Sequence, residues 1–143
     1  MFRVDSFGMF LFADRLILVF PEEIPLFQGK PSARVTSLVD LALKVIYTSI
    51  THFNDHLRVI NAVSEALEVQ INASMQNKYL LNLFSLEKSL VYYLNAINTN
   101  GKLIERLKNS ASKLELNAEK IEFLDDIIIE NSLVWPNKQP ERA

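Results

Sequence analysis

The feature that most constrains this chain is a seam of apolar residues in its first half. From about Ser37 to Ala73, Ile46, Ile50, Phe53, Leu57, Ile60, Leu67 and Ile71 step by four and three, with Ser64 filling the one missing place. Steps of this kind put one apolar stripe along an α-helix. An unbroken helix over these residues would be about 55 Å long at about 1.5 Å per residue, more than a compact domain of this size needs. Such a helix requires partners along its length.

Those partners follow in the sequence. NASMQNK breaks the pattern, and a second helix is predicted from about Lys78 to Ile97, carrying Leu80, Leu83, Leu90, Leu94 and Ile97 on one face. The run Asn98, Thr99, Asn100, Gly101 weakens or ends it. A short apolar continuation, Leu103, Ile104 and Leu107, leads into a polar break near Asn109 to Ser112. A last helix is expected to begin near Leu114 and to carry Leu116, Ile121, Leu124 and Ile128, with Ile127 as a further candidate. LVWPNKQPERA, with two prolines, reads as a frayed tail.

Before the seam the period is two. SFGMFLFADRLILVF reads as strands Phe7 to Phe12 and Leu16 to Phe20, reversing at Ala13 and Asp14. Apolar residues occupy both faces, which suits a hairpin inside a larger, covered sheet, yet no other segment reads as a strand. Either a second copy completes the sheet or the chain is part of a longer protein. Pro21 to Pro31, with Pro25 and Gly29 inside it, is a connector. The expected fold is α+β, mostly α: one β-hairpin, the remnant of a larger sheet, then a long antiparallel helical pair and a final stalk-type helix. Its divisions are 1–36, hairpin and connector of a partial α/β domain; 37–132, the long helical region; and 133–143, a flexible tail.

Composition narrows the function. With 143 residues, 49% of them hydrophobic and 22% charged, the chain can bury one core. A formal charge of -2 with scattered Lys and Arg argues against nucleic acid. The absence of cysteine excludes disulfides, thiolate metal sites and cysteine nucleophiles, and fits a reducing compartment such as the cytoplasm. No signal peptide is apparent at the start, and LVDLALKVIY, the most apolar stretch, is interrupted by Asp40 and Lys44. The chain reads as soluble.

Enzyme chemistry finds no footing. Three distant glycines, Gly8, Gly29 and Gly101, build no phosphate loop, and no nucleophile elbow is present. HFNDH places His52 and His56 one turn apart with Asp55 beside them, but the zincin pattern needs Glu where Phe53 stands, and no third ligand is evident. The plain reading is two solvated histidines on the polar side of the helix. Asp125 and Asp126, just before three isoleucines, read either as an exposed acidic pair or as a hard-cation site, since Mg²⁺ accepts one or two carboxylates and keeps most of its waters. Adjacent residues lie about 100° apart on a helix, so one of the two faces a given neighbour.

The order of these elements resembles the cytoplasmic part of the CorA family of divalent-cation channels, which includes zinc-transporting relatives. SFGMFLFADRLILVFPEE resembles the family's last strand pair. SLVDLALKVIYTSITHFNDHLRVINAVSEALE resembles the long helix that follows, with Leu57, Ile60, Asn61, Leu67 and Glu68 in the places of its L-x-x-I-[DN] and L-E steps. LFSLEKSLVYYLNAINTNGKLIERL is similar to the next helix, and EFLDDIIIENS to the start of the stalk helix leading to the membrane. The resemblance rests on many weak positions across residues 6–132, with no single diagnostic motif.

It implies a regulatory cation, Mg²⁺ with Co²⁺ or Zn²⁺ as alternatives, sensed between subunits by Asp126, with Asp125 the near miss. It implies a pentamer in the whole protein, and membrane contact only through helices this chain does not contain. Nothing after Ser132 resembles the family's pore or its Gly-Met-Asn loop, and Leu41 to Asn54 contains no acid, where a second sensing site would be expected. The expectation is a partial cytoplasmic domain serving assembly and gating. The alternative is a helical coiled-coil interaction module without metal.

Overall fold

The computed structural model describes residues 3–23 and 34–132. Two strands, β1 (Gly8–Leu11) and β2 (Leu16–Val19), are followed by α1 (Leu38–Ser74), α2 (Asn77–Asn109) and α3 (Ala118–Ser132). The fold is α+β and mostly α, as the patterning predicts. The tail from 133 onward and most of the connector before α1 lie outside the described residues.

β1 and β2 pair antiparallel with Gly8 opposite Val19 and Leu11 opposite Leu16, and the Phe12 N–H closes the turn onto Arg15 O at 2.8 Å. This register puts Phe10, Ile17 and Val19 on one face, which is exposed, while Met9, Leu11, Leu16 and Leu18 are half-buried on the other. β1 lies against α1, Val4 packs on the helical core, and Phe7 meets Phe20 at 5.2 Å. Among the described residues the sheet has these two strands alone.

α1 begins where its chemistry requires. Ser37 Oγ accepts the Asp40 N–H at 3.1 Å, the usual N-cap bond to the third helical residue. Asp40 in turn accepts the Thr36 N–H at 3.1 Å and pairs with Lys44 at 3.1 Å. Burial by itself would raise the Asp40 carboxyl, but the Thr36 hydrogen bond and Lys44 bring it below its usual range. Lys44 also donates to Arg34 O, and Lys120 Nζ, in the first turn of α3, donates to Ser37 Oγ at 3.0 Å. One serine thus starts α1 and holds the start of α3. The other end of α1 closes on Met75 in the left-handed region, φ 51°, with its N–H on Ile71 O at 2.9 Å.

α2 returns antiparallel along α1. The two cover each other through Leu57, Ile60 and Leu67 on α1 and Leu86, Tyr93 and Ile97 on α2. At the opposite end α3 joins them, and Leu43, Ile50, Ile104, Leu124 and Ile127 form a second core, with Ile104, Leu124 and Ile127 wholly enclosed. The molecule is therefore a two-helix arm that widens into a three-helix bundle.

Two boundaries differ from expectation. α2 does not end at Asn98 to Gly101 but runs unbroken to Asn109, so Leu103, Ile104 and Leu107 belong to the same helix. A helix-internal glycine costs about 1 kcal/mol relative to alanine, but here the bare Cα admits Asn131 of α3: a Cβ at residue 101 would lie 3.2 Å from Asn131 Nδ2. The burial of Ile97 and Ile104 on either side outweighs the poor propensity between them. α3 begins at Ala118 rather than near Leu114, because 110–115 form turns in which Glu115 takes φ 53°. Asn117 then caps the helix, its Oδ1 accepting the Lys120 N–H at 2.9 Å.

Candidate functional site

α3 is amphipathic, and its buried stripe determines what its acids can reach. Leu124 and Ile127 point into the bundle with no exposed surface. Asp125 flanks that stripe on the side of α2, where its Oδ1 lies 2.5 Å from Lys108 Nζ, both side chains being about half exposed. Asp126, one residue on, is exposed, as are Glu122 a turn before it and Ile129 a turn after it. The pair is thus divided: one carboxylate is tied to its own chain and the other is presented outward. Among the described residues no three His, Cys, Asp or Glu side chains converge on a point where a metal ion could sit.

Two buried asparagines orient the end of this helix. Asn54, on α1, donates through Nδ2 to Glu130 O and to Glu130 Oε1, each at 3.1 Å. Asn131 donates through Nδ2 to Ile97 O at 3.0 Å, beside Gly101. A buried amide is costly unless bonded, so these contacts favour one rotation and one register of α3 on the hairpin of α1 and α2. The rotation that seats Asn131 is the one that leaves Asp126 outside. Neither asparagine was identified from sequence, although Asn54 takes a seam position between Ile50 and Leu57, four residues after the one and three before the other.

The histidines lie elsewhere, midway along α1. His52 is exposed, but His56 is half-buried, which corrects the expectation of two solvated rings. Its Nδ1 is 3.3 Å from Tyr93 Oη, and the buried Tyr93 ring is held by Phe53 at 5.1 Å. Burial and the neighbouring His52 both lower the pKa of His56, against a smaller opposing effect of Asp55, so the ring favours its neutral form. Burial likewise raises the Tyr93 phenol.

A scan against protein-family models matches the CorA-like Mg²⁺ transporter protein family over residues 8–134. The chain belongs to this CorA-like family. Neither a search of curated proteins nor one of solved structures returns a match. The match takes in the hairpin and all three helices, and overlaps residues 6–132, where the sequence resembles the family, at all but two positions. The CorA-like family is one of transporters rather than enzymes, and divalent cations are the substrate class that its description carries. No helix among the described residues is long and apolar enough to cross a membrane.

Proposed function

We propose that this chain serves in the cytoplasmic part of a CorA-like transporter of divalent cations, Mg²⁺ or Co²⁺, where it joins subunits and adjusts their packing to the local cation concentration. The observation that carries this reading is the division of the acid pair. Asp126 and its neighbour Glu122 present carboxylates outward, while Asp125 is engaged by Lys108. A single exposed carboxylate is a poor site by itself but a sufficient half-site, because Mg²⁺ takes one or two protein oxygens and retains its waters. Facing acids of adjoining subunits repel when bare and are drawn together by a divalent ion, so occupancy biases one packing over another. Asp126 is the residue assigned to hold the ion, with Asp125 positioned by Lys108 beside it. The ion acts as regulator, Mg²⁺ first and Co²⁺ or Zn²⁺ as alternatives, and the homo-oligomer supplies the second half of the site.

A second reading, a coiled-coil interaction module without metal, draws support from apolar side chains on the outside of the arm, Leu81, Phe84, Val91 and Tyr92. Thermal melting with and without millimolar Mg²⁺ or Co²⁺ distinguishes the two. Binding to the folded form raises stability by RT ln(1 + [L]/Kd). The transporter reading expects an upward shift that Asp126→Ala abolishes and Asp125→Ala preserves. No shift in any variant, together with association that ignores the cation, would favour the interaction module.

A further inference from the structure

We propose that the outer face of α2 docks an acidic amphipathic helix of a partner protein. This face is separate from the acids of α3, and the assignment stands whether or not those acids hold a cation.

The helix period defines the face. Leu86, Tyr93, Ile97 and Ile104 are buried against the rest of the molecule. Adjacent residues lie about 100° apart on a helix, so Leu81, Phe84, Lys88, Val91 and Asn95, stepping by three and four, run along the opposite side, and all of them are exposed. Tyr92 and Leu103 widen the strip, and its large apolar side chains are each at least half exposed. From Leu81 to Arg106 it is about 38 Å long at about 1.5 Å per residue. A strip of this step and length fits the side of another helix, as the inner face of α2 already fits α1.

Charge selects the partner. α2 carries five bases against two acids, Glu87 and Glu105, in a chain whose formal charge is -2. Lys88 and Arg106 are a whole number of turns apart and so share one bearing on the strip, and Lys102 shares that of Phe84. The two acids, each next to one of these bases in sequence, are turned about 100° away from them, to the edge of the strip. Lys88, Lys102 and Arg106 are exposed and make no ion pair among the described residues, whereas Lys44, Arg58 and Lys108 are each paired with a carboxylate. The outer side of α1 has no such bias: Val59, Val63 and Val69 are exposed there, but Arg58 is held by Asp55.

These bases rule against the simplest occupants. A second α2 strip would set like charges against one another across the contact. A neutral apolar helix would enclose Lys88 between Phe84 and Val91 with no counter-charge, which is costly. An acidic helix meets both conditions. Its apolar stripe covers Leu81, Phe84 and Val91, while carboxylates flanking that stripe reach Lys88, Lys102 and Arg106.

The test uses the full chain and two labelled helical probes of about four heptads, matched to the length of the strip. Both carry leucine at the a and d positions; one has glutamate at the flanking e and g positions and the other lysine. In fluorescence anisotropy the glutamate probe is expected to bind, more weakly as salt is raised, while the lysine probe does not. Lys88→Glu with Lys102→Glu and Arg106→Glu should weaken the glutamate probe by about tenfold or more and admit the lysine probe. Lys102→Gln with Arg106→Gln, which removes charge without reversing it, should act in the same direction and serves where the triple variant loses its circular dichroism. Leu81→Ser with Phe84→Ser should lose the glutamate probe as well. Equal binding of the two probes by the parent, no binding of the glutamate probe at low salt, or an unchanged affinity in Lys102→Gln with Arg106→Gln would overturn the assignment. So would displacement of the probe by phosphatidylglycerol vesicles, which would make the face a membrane contact instead.

Discussion

Single residues set where each helix starts and stops, and their effects are measurable separately. Ser37 provides the N-cap of α1 and accepts Lys120 from α3. Ser37→Ala should therefore lower stability in urea unfolding by about 1 kcal/mol or somewhat more, the usual cost of a lost cap. Met75 lies at the other end in a conformation that disfavours any side chain, yet it is exposed and contributes no packing. Met75→Gly is expected to stabilise the chain by about 1 kcal/mol, and a loss of stability would show that the left-handed cap is not formed. Asp40 gives a pH signature. Its carboxyl titrates below its ordinary range in the folded chain, so its contribution is complete above the unfolded carboxyl's range and fades as the pH falls through the folded one. The stability gap between the parent and Asp40→Asn should be flat above about pH 5 and should close on the acid side.

Among the elements, those with a long regular period were legible in the sequence, and those governed by one polar contact were not. The seam from Ile46 to Ile71 specified α1 to within a residue at each end, because burial of every third or fourth side chain leaves no competing period. The hairpin and its turn at Ala13 and Asp14 were equally readable. Asn98 to Gly101 read as weakening or ending α2 because they are weak helix formers, and propensity carries no information about a partner helix that fills the space above a glycine. For the candidate site, the sequence identified the acids of α3, but only the packing shows that Lys108 engages Asp125 and that Asn54 and Asn131 fix which face Asp126 occupies. The Gly101 and Asn131 contact can be tested by a double-mutant cycle. In the parent, Gly101→Ala gains helix propensity but crowds the Asn131 amide at 3.2 Å. In an Asn131→Ala background that crowding is gone, and the same change should stabilise α2 by about 1 kcal/mol. Equal effects of Gly101→Ala in the two backgrounds would refute the contact.

At the scale of the whole molecule, apolar surface left open among the described residues is a prominent feature, and two of the places where it lies bear on association. One is the outside of the arm. The other is the outer face of the hairpin, where Phe10 at 53% exposure and Val19 at 56% stand with Ile17 and Phe12. On the hairpin face the register places three of these side chains side by side, and a two-stranded sheet is marginal without further cover. Apolar patches of this kind on a protein surface mark association. We therefore expect the chain in dilute solution to scatter light as more than a monomer, with a mass that falls on dilution. Phe10→Ser with Ile17→Thr should reduce that mass toward the monomer while leaving the melting temperature nearly unchanged, because neither side chain belongs to the helical cores. Retention of the full mass in this variant, with its loss in Leu81→Ser and Phe84→Ser, would move the contact to the arm. In either case, adding Mg²⁺ to the parent and to Asp126→Ala separates association driven by apolar cover from the cation-dependent packing assigned to α3: the apolar contact should persist in the aspartate variant, whereas any further tightening by Mg²⁺ should vanish with the carboxylate.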